Sequence, residues 1–327
     1  MKFTAWGKVK APEYIKLPGN ELELEHILGL YERLGAPGCV GSIDCVHVVW
    51  DNCPAGERTA CKGKDKSPTL VFEVVVSHTR KILSVSCFHY GTVNDKTIAR
   101  LDPALTAVRG ETATFLSEKQ WTTLTRDGVL KTHTGLYFIC DGGYHAWKCL
   151  IPPFKDQPTG TDLAQWSAHI ESMRKDVECT FGILKKRFMF LKNPIRLQNK
   201  YVIQNCFFTC CLLHNWLLEY DGRDDWEDVL DEDDCDVEYG SLESMVDQEA
   251  RTSTSGTGAG SWTRGQARRA NPRAYMELPR HDDDESGGEA EAPPSATEQQ
   301  EFRDRRAALI DHYCHEVEHR RLELHLL

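Results

Sequence analysis

Long hydrophobic runs are missing from this 327-residue sequence. No stretch is apolar over the roughly 20 residues that a membrane-spanning helix needs. The first residues, MKFTAWGKVKAPEY, also lack the apolar core of a signal peptide. We therefore expect a protein that contacts no membrane and remains inside the cell.

Paired cysteine motifs are missing too, although the chain has 13 cysteines. The cysteines from Cys39 to Cys61 do not have the C-x₂-C spacing of a zinc site. Cys206, Cys210 and His214 are each four residues apart, but they lie in an apolar helical stretch, where core packing is the simpler role. Without a secretion signal, free buried thiols are predicted rather than disulfides.

Positive charge is scarce overall, because the net charge is −11. Its distribution is uneven. Residues 1–219 hold 27 Lys and Arg against 22 Asp and Glu, a net charge of +5. Residues 220–327 hold 12 against 28, a net charge of −16. The front part therefore suits a polyanionic partner, although +5 over this length is a weak signal alone.

The pattern of apolar residues after a helical lead-in segment, 1–38, predicts several strands. One strand is expected at GSIDCVHVVW (41–50). TLVFEVVVSH (69–78) and KILSVSCFHY (81–90) are separated by little more than a turn and predict a hairpin. LYFICD (136–141) is a short apolar run that ends in an acid, which is typical of a buried central strand.

Three helices are predicted in the same region. NDKTIARLDP (94–103) begins with Asn94 or Asp95 as its cap. VIQNCFFTCCLLHNWLLEY (202–220) is apolar nearly all round and is therefore expected to be buried. A long helix from about Asp162 to Lys192 carries an apolar stripe with spacings of three and four. The stripe consists of Ile170, Met173, Val177, Phe181, Leu184, Phe188 and Leu191.

The composition changes after residue 220. The segment 221–240 holds 11 acids in 20 residues, and TSTSGTGAGSWTRG (252–265) is typical of a flexible linker. HDDDESGGEAEAPPSATEQQ (281–300) is acidic and poor in apolar residues. We therefore predict a long acidic, mostly disordered segment over 221–300 and a C-terminal helix over 301–327.

Three acidic residues stand in contexts that fit a metal site. Asp44 lies in the first apolar strand, Asp141 ends another, and Glu178 lies beside the stripe of the long helix. Hard divalent cations prefer carboxylate oxygens. Two such ions about 3.5–4 Å apart can activate a water and stabilise a leaving 3′ oxygen on phosphate. Taken singly, each acid is more simply explained as a cap, a turn residue or a solvated side chain.

Five segments follow one another over roughly residues 30–220. They are PGCVGSIDCVHVVWDNCPAG, FHYGTVNDKTIARLD, FICDGGYHAW, MRKDVECTFGILKKRFMFL and CLLHNWLLEYD. Together they closely resemble the PIF/Harbinger transposases, in the branch called plant transposon proteins. The resemblance implies an α/β, ribonuclease H-like fold, with a mixed central sheet flanked by helices, for a DDE catalytic domain over 39–220.

The same resemblance makes Asp44, Asp141 and Glu178 the catalytic acids, which would bind two Mg²⁺ or Mn²⁺ ions. It implies an endonuclease or transposase that hydrolyses DNA phosphodiesters at transposon ends and transfers the freed 3′ end to target DNA. The implied partners are double-stranded DNA and a separate Myb-like DNA-binding protein, and a homodimer is compatible with it. The nucleus is the expected location, with the cytoplasm as the alternative.

Other residues near these acids have competing interpretations. Asp176 and Glu178 lie about 200° apart on a helix, so they cannot both face one site, and the family pattern favours Glu178. His47 follows Asp44 by three residues, which places it on the opposite strand face and favours a structural role. Asp95 is more simply a helix cap than a ligand.

Five basic residues surround the third acid and are predicted to contact the DNA backbone, with a solvated helix face as the alternative. They are Arg174, Lys175, Lys185, Lys186 and Arg187. Two further functions stay open. The chain could be a domesticated or decayed copy that binds DNA or protein without cutting, or a ribonuclease on the same fold.

Overall fold

The computed structural model describes residues 2–63, 67–110, 115–222 and 294–319. Its strands are β1 (Cys39–Val49), β2 (Thr69–Val76), β3 (Ile82–Val85), β4 (His89–Tyr90), β5 (Gln120–Leu124), β6 (Leu130–Thr134), β7 (Tyr137–Ile139) and β8 (Leu150–Ile151). The helices are α1 (Lys2–Tyr14), α2 (Glu21–Arg33), α3 (Arg58–Cys61), α4 (Asp95–Leu101), α5 (Pro103–Arg109), α6 (Phe115–Glu118), α7 (Asp162–Arg187), α8 (Met189–Lys192), α9 (Lys200–Tyr220) and α10 (Ala296–Glu318).

A mixed sheet forms the centre, with the strand order β3-β2-β1-β7-β8 and with β4 paired to β2. The strand β1 is antiparallel to β2 and parallel to β7, and β7 is parallel to β8. A separate antiparallel hairpin joins β5 to β6. The expected α/β architecture, a mixed sheet flanked by helices, is confirmed.

The predicted hairpin over 69–90 is also present, with a turn that contains Arg80 at a φ of 65°. Its second arm is not one strand but two, β3 and β4. The ladder is interrupted at Ser86, whose Oγ accepts the hydrogen bond from the Glu73 amide at 2.9 Å. A side-chain oxygen thus takes the place of a backbone carbonyl, and the strand ends before it.

The helix caps follow from short polar side chains. Asn94, rather than Asp95, caps α4 by accepting from the Thr97 amide, and Asp102 caps α5 in the same way. The predicted long helix begins at Asp162 but ends at Arg187, because Phe188 adopts an extended backbone and separates α7 from α8. All residues of the predicted stripe except the half-buried Phe188 are buried.

Both faces of the sheet are covered by apolar side chains. On β2, Val75 packs into one hydrophobic cluster with α2, α5 and α7, while Phe72 and Val74 pack into another with α7 and α9. The rings of Phe72 and Phe207 stack at 4.1 Å between centroids. Every residue of β2 is therefore buried, and alternation between the two faces gives a three-layer arrangement.

The C-terminal helix α10 packs into the first of these clusters through Phe302, Leu309 and Tyr313. It begins at Ala296, earlier than the predicted start at residue 301, because Ser295 and Glu298 form a reciprocal capping box. The predicted acidic segment lies outside the described residues as far as residue 293.

All cysteines in the described ranges are free thiols, and most of them are buried, as predicted. None of the helices that the structure describes has both the length and the apolar character to cross a membrane.

Gly41 lies where β1 and β2 approach most closely. A Cβ atom at this position would fall 2.5 Å from the carbonyl oxygen of Val76, which is backbone and cannot move aside alone. We expect Gly41→Ala to lower the free energy of unfolding by about 1–3 kcal/mol, measured by urea denaturation. Gly29→Ala on α2 is the control, because nothing lies within 4 Å of its new Cβ. There, alanine should stabilise the helix by up to about 1 kcal/mol. Equal urea midpoints for Gly41→Ala and the wild type would contradict this account of the β1–β2 contact.

Candidate active site

A cleft of about 530 Å³ lies where the sheet meets α7. Its walls come from β1, from the loop after β7, from the segment before α7 and from the first half of α7. The charged residues that line it are Asp44, Asp141, Lys155, Glu171, Arg174 and Glu178. All three predicted catalytic acids therefore border one cavity.

Asp44 and Asp141 reach the cleft through the parallel pairing of β1 with β7. Ser42 pairs with Ile139, and both acids stand two residues further along their chains. Adjacent strands lie about 4.8 Å apart, and equivalent positions on them point to the same face. The register thus brings the first two acids side by side, although 97 positions separate their numbers in the sequence.

Backbone amides orient these two carboxylates. The Cys45 amide donates to Asp44 Oδ1 at 2.8 Å, and the Gly143 amide donates to Asp141 Oδ1 at 2.7 Å. A Cβ atom on Gly143 would fall 2.9 Å from that same Asp141 oxygen. The glycine after the second acid therefore leaves room for the carboxylate to turn back onto the loop.

The electrostatic environment of Asp44 is unfavourable to its charge. The pKa of this carboxyl is raised to about 7, mainly by burial and in smaller part by the negative charges of Asp141 and Glu178. The Cys45 amide and the positive charge of Arg174 only partly oppose this shift. The cleft thus holds more negative charge than its own cations neutralise, which is the condition that favours a bound cation.

Glu178 approaches from α7 and is held by an arginine. Its Oε1 accepts from Arg174 Nη1 at 2.7 Å, one helical turn away. Arg174 also donates to both oxygens of Glu171, at 2.6 and 2.8 Å, and these carboxylates raise its pKa, with the Glu171 hydrogen bond as the main cause. The Arg174 side chain is 14% exposed and that of Glu178 is 41% exposed, so the glutamate is the more accessible of the two.

Within the part of the chain that the structure describes, no three His, Cys, Asp or Glu side chains lie close enough to hold a metal ion. The Glu178 carboxylate accepts a hydrogen bond from Arg174. The donor chemistry nevertheless fits Mg²⁺ or Mn²⁺, since Asp44 and Asp141 offer adjacent carboxylate oxygens. Glu178 would join them by leaving its ion pair.

The competing residues lie elsewhere. Asp176 is buried and its Oδ2 lies 2.8 Å from Nδ1 of His78. Nδ1 of His47 lies 3.0 Å from Oγ1 of Thr69, away from the cleft lining. His214 is buried on α9, and its Nε2 is 2.9 Å from the Arg80 carbonyl oxygen, so it ties α9 to the hairpin turn. These contacts are structural.

Of the five basic residues predicted to contact DNA, only Arg174 lines the cleft. Lys175, Lys186 and Arg187 are exposed on α7, and Lys185 is half-buried, with a pKa lowered by that burial. The residues that the sequence interpretation missed are Glu171 and Lys155. The spacing of Glu171, seven residues before Glu178, could have indicated its position on the same helix face. Nothing in its Pro-rich loop singled out Lys155.

A second acidic pair lies behind Asp44, inside the sheet. Glu73 on β2 pairs across from Cys45 and is fully buried, and Asp102 is buried at the start of α5. Burial is the main cause that raises the pKa of Glu73 well above its ordinary value, and the neighbouring charges of Asp102 and Asp95 add to it. The Tyr144 hydroxyl opposes the shift. Burial and these neighbouring acids therefore favour the protonated form of Glu73, which sequence inspection had not indicated.

Comparisons with known proteins agree with the resemblance. The family of plant transposon proteins matches residues 12–225. "Protein ALP1-like" of Arabidopsis thaliana is 23% identical over 204 residues, which cover 62% of this chain and 48% of that protein. The human protein named "Putative nuclease HARBI1" is 21% identical over 243 residues, which cover 72% of this chain and 63% of that protein. The chain thus spans between about half and two thirds of these relatives. No solved structure matches it.

The buried proton on Glu73 makes stability depend on pH. The folded protein retains the proton, whereas the unfolded chain releases it above an ordinary pKa of 4.5. Wild-type stability should therefore fall as pH rises from that value, by up to about 1.4 kcal/mol per pH unit. In Glu73→Gln the amide is neutral at every pH. We expect this variant to gain stability relative to the wild type between pH 5 and 7.5, measured by urea unfolding.

Glu32→Gln, at an exposed position on α2, is the matched control, and its difference from the wild type should stay constant across the same pH range. A constant difference for Glu73→Gln as well would mean that the buried carboxyl does not carry the proton.

Proposed function

Because the chain belongs to the plant transposon protein family, within the Harbinger transposase-derived group, we propose that it is a metal-dependent DNA endonuclease of the DDE type. One observation carries the proposal. The parallel β1–β7 pairing sets Asp44 and Asp141 side by side, and Glu178 borders the same cleft from α7. Carboxylates from two adjacent strands and one helix around a single cavity can hold the two metal ions that hydrolyse a phosphodiester.

The architecture supports the same assignment at the level of the fold. Antiparallel strands β1, β2 and β3 come first, and the parallel strands β7 and β8 complete the sheet beyond β1. The long helix α7 then packs against β1, β2 and β7. This order, with an acid on the first strand and another after the first parallel strand, is the one expected for a ribonuclease H-like domain.

Asp44, Asp141 and Glu178 would hold two Mg²⁺ or Mn²⁺ ions, which when bound supply an activated water and stabilise the leaving 3′ oxygen. The protein's own side chains would bind and position the DNA. Arg174 fixes the rotamer of Glu178 and, when Glu178 leaves, offers its guanidinium to a phosphate oxygen. Lys175, Lys185, Lys186 and Arg187 continue the basic face of α7 and would position the DNA backbone without reading its sequence.

The proposed substrate is double-stranded DNA, at transposon ends and at the target, with strand transfer as a further step. A Myb-like DNA-binding protein is the proposed partner, a homodimer is compatible with the proposal, and the nucleus is the proposed location. These assignments rest on the family, and the matched relatives extend well beyond the region that this chain covers.

A second candidate function is a factor that binds DNA or protein without cutting. The ion pair between Arg174 and Glu178 favours it, because the arginine already neutralises the third acid. An arginine in the place of a metal ion can preserve the fold of a site that has lost its chemistry. Metal binding separates the two candidates.

Plasmid cleavage tests the first candidate. We expect the wild type to nick supercoiled DNA with Mg²⁺ or Mn²⁺, while Asp44→Asn and Glu178→Gln lose at least about 100-fold in rate, since each removes a metal-binding carboxylate. Asp51→Asn is the control, because Asp51 is exposed, pairs with Arg196 and lies outside the cleft lining. A folded Asp44→Asn protein that nicks at the wild-type rate would refute the assignment.

Calorimetric titration with Mn²⁺ tests the second candidate. An endonuclease of this type should bind the ion in the absence of DNA, and Asp141→Ala should weaken binding by about 10- to 100-fold because it removes one of two adjacent carboxylates. Identical titrations of the wild type and Asp141→Ala, together with DNA binding and no cleavage, would favour the non-catalytic factor.

A further inference from the structure

Arg306 on α10 is a cation without an anionic partner near the cleft. Its guanidinium carbon lies 3.2 Å from the ring centroid of Phe154, which is a wall residue of the cleft. Its Nε is buried and makes no hydrogen bond. Across the described ranges, this side chain makes no ion pair and no hydrogen bond, so its remaining donors are left to solvent.

An unpartnered, half-buried arginine is costly for a fold. Burial lowers the pKa of Arg306 to about 10, whereas carboxylate partners raise those of Arg174 and Arg126. Desolvating a charge without pairing it destabilises the protein. Such positions are enriched at functional sites, where a ligand supplies the missing partner.

Lys155 follows Phe154 directly in the chain. It lines the cleft directly, and its Nζ lies 3.6 Å from the place that a Cβ on Gly142 would take, beside the turn that carries Asp141. Its side chain is exposed and has no ion-pair or hydrogen-bond partner among the residues that the structure describes. Two unpaired cations are therefore associated with Phe154, since Lys155 is its neighbour in the cleft lining and Arg306 packs on its ring.

We propose that Lys155, which lines the cleft, and Arg306, which packs on the wall residue Phe154, form a phosphate-binding rim for the nucleic-acid backbone that enters the cleft. The inference rests on the proposed function and deepens it by naming residues that would contact the DNA backbone. One of them, Arg306, lies outside residues 12–225, the region that the family matches. A guanidinium held flat on a ring presents its outer donors in a fixed plane, which suits bidentate phosphate binding. The lysine adds a mobile point charge next to the proposed metal-binding acids.

The rim would also offset the excess of negative charge in the cleft. Of the six charged residues that line it, four are acids, and Arg174 is already bound to two of them. A polyanion would be repelled unless other cations bordered the entrance. Lys155 lines the cleft and Arg306 packs on its wall residue Phe154, and neither is neutralised by a carboxylate among the described residues.

A purely structural role for Arg306 is the alternative, since its stem packs on Phe154 and lies near Trp166 and Phe302. The neighbouring Arg305 has such a role, because it donates to the carbonyls of Lys148 and Thr134 at 3.1 and 2.6 Å. Arg305 has its hydrogen bonds satisfied by the fold, whereas Arg306 does not. A structural role would change stability but not the salt dependence of DNA binding.

The test measures binding of a fluorescent DNA duplex to the full chain by anisotropy, in Ca²⁺ buffer that does not support cleavage, over a series of salt concentrations. Arg306→Met keeps the apolar stem and removes the charge, Arg306→Lys keeps the charge, and Lys155→Met removes the second cation. Arg303→Met is the matched control, because Arg303 is exposed on the same helix and donates to the Gln299 carbonyl. Thermal unfolding of each variant reports its stability separately.

We expect Arg306→Met and Lys155→Met each to weaken binding about tenfold and to lower the slope of log K against log salt by about 0.9, with the double variant losing about 1.8. Arg306→Lys should retain the slope, and Arg303→Met should match the wild type. If Arg306→Met does not fold, the salt slope of Lys155→Met and the DNA affinity of Arg306→Lys still test the proposed rim.

Unchanged slopes for Arg306→Met and Lys155→Met, or an equal loss for Arg303→Met, would overturn the rim. Absence of DNA binding by the wild type would overturn it as well. A wild type that binds DNA with the expected rim slopes but does not cleave it with Mg²⁺ would count against the proposed endonuclease and would leave the rim supported.

Discussion

The parallel pairing of β1 with β7 is the constraint on which the candidate site depends. It joins the first strand of the sheet to a short strand about 100 residues later and sets Asp44 beside Asp141. Two adjacent carboxylates repel each other, and burial of Asp44 adds a desolvation cost. The wholly buried flanks Ile43 and Ile139 supply apolar burial that offsets it. Packing of the apolar sheet residues therefore keeps the two carboxylates close together, although their charges repel each other.

Arg174 is the second element of this balance. It neutralises Glu171 and Glu178 from within the same helix and lowers the pKa of Asp44 from a distance. In the absence of metal, the arginine therefore acts as the counter-ion of the cleft. A divalent ion at Asp44 and Asp141 would compete with Arg174 for Glu178, so metal binding and release of the arginine would be coupled. The same guanidinium would then be available to phosphate, which links neutralisation of the cleft's own acids to recognition of a polyanion.

Much of the central domain could be predicted because its signals are local. Apolar periodicity predicted β1, the β2–β3 hairpin, α7 and α9, and the cap of α4 was predicted as Asn94 or Asp95. The adjacency of Asp44 and Asp141 was accessible only through the family resemblance, since no local pattern specifies a register across so long a separation. The β5–β6 hairpin was not predicted, because only two of its ten residues are buried and its alternation is weak. The break at Phe188 was missed because an aromatic residue continues the apolar stripe while its backbone leaves the helix.

The packing of α10 against the central domain could not be predicted from the sequence, for a different reason. Its buried face includes polar residues such as Arg305 and His312, so the sequence shows no clear apolar stripe. Arg305 binds carbonyls of Thr134, just before β7, and of Lys148, just before β8, while Arg306 packs on Phe154, just after β8. These contacts tie α10 to the segment before β7, the strand that leads to Asp141, and to both ends of its neighbour β8. A helix outside the matched family region therefore packs against the strands that carry the second acid.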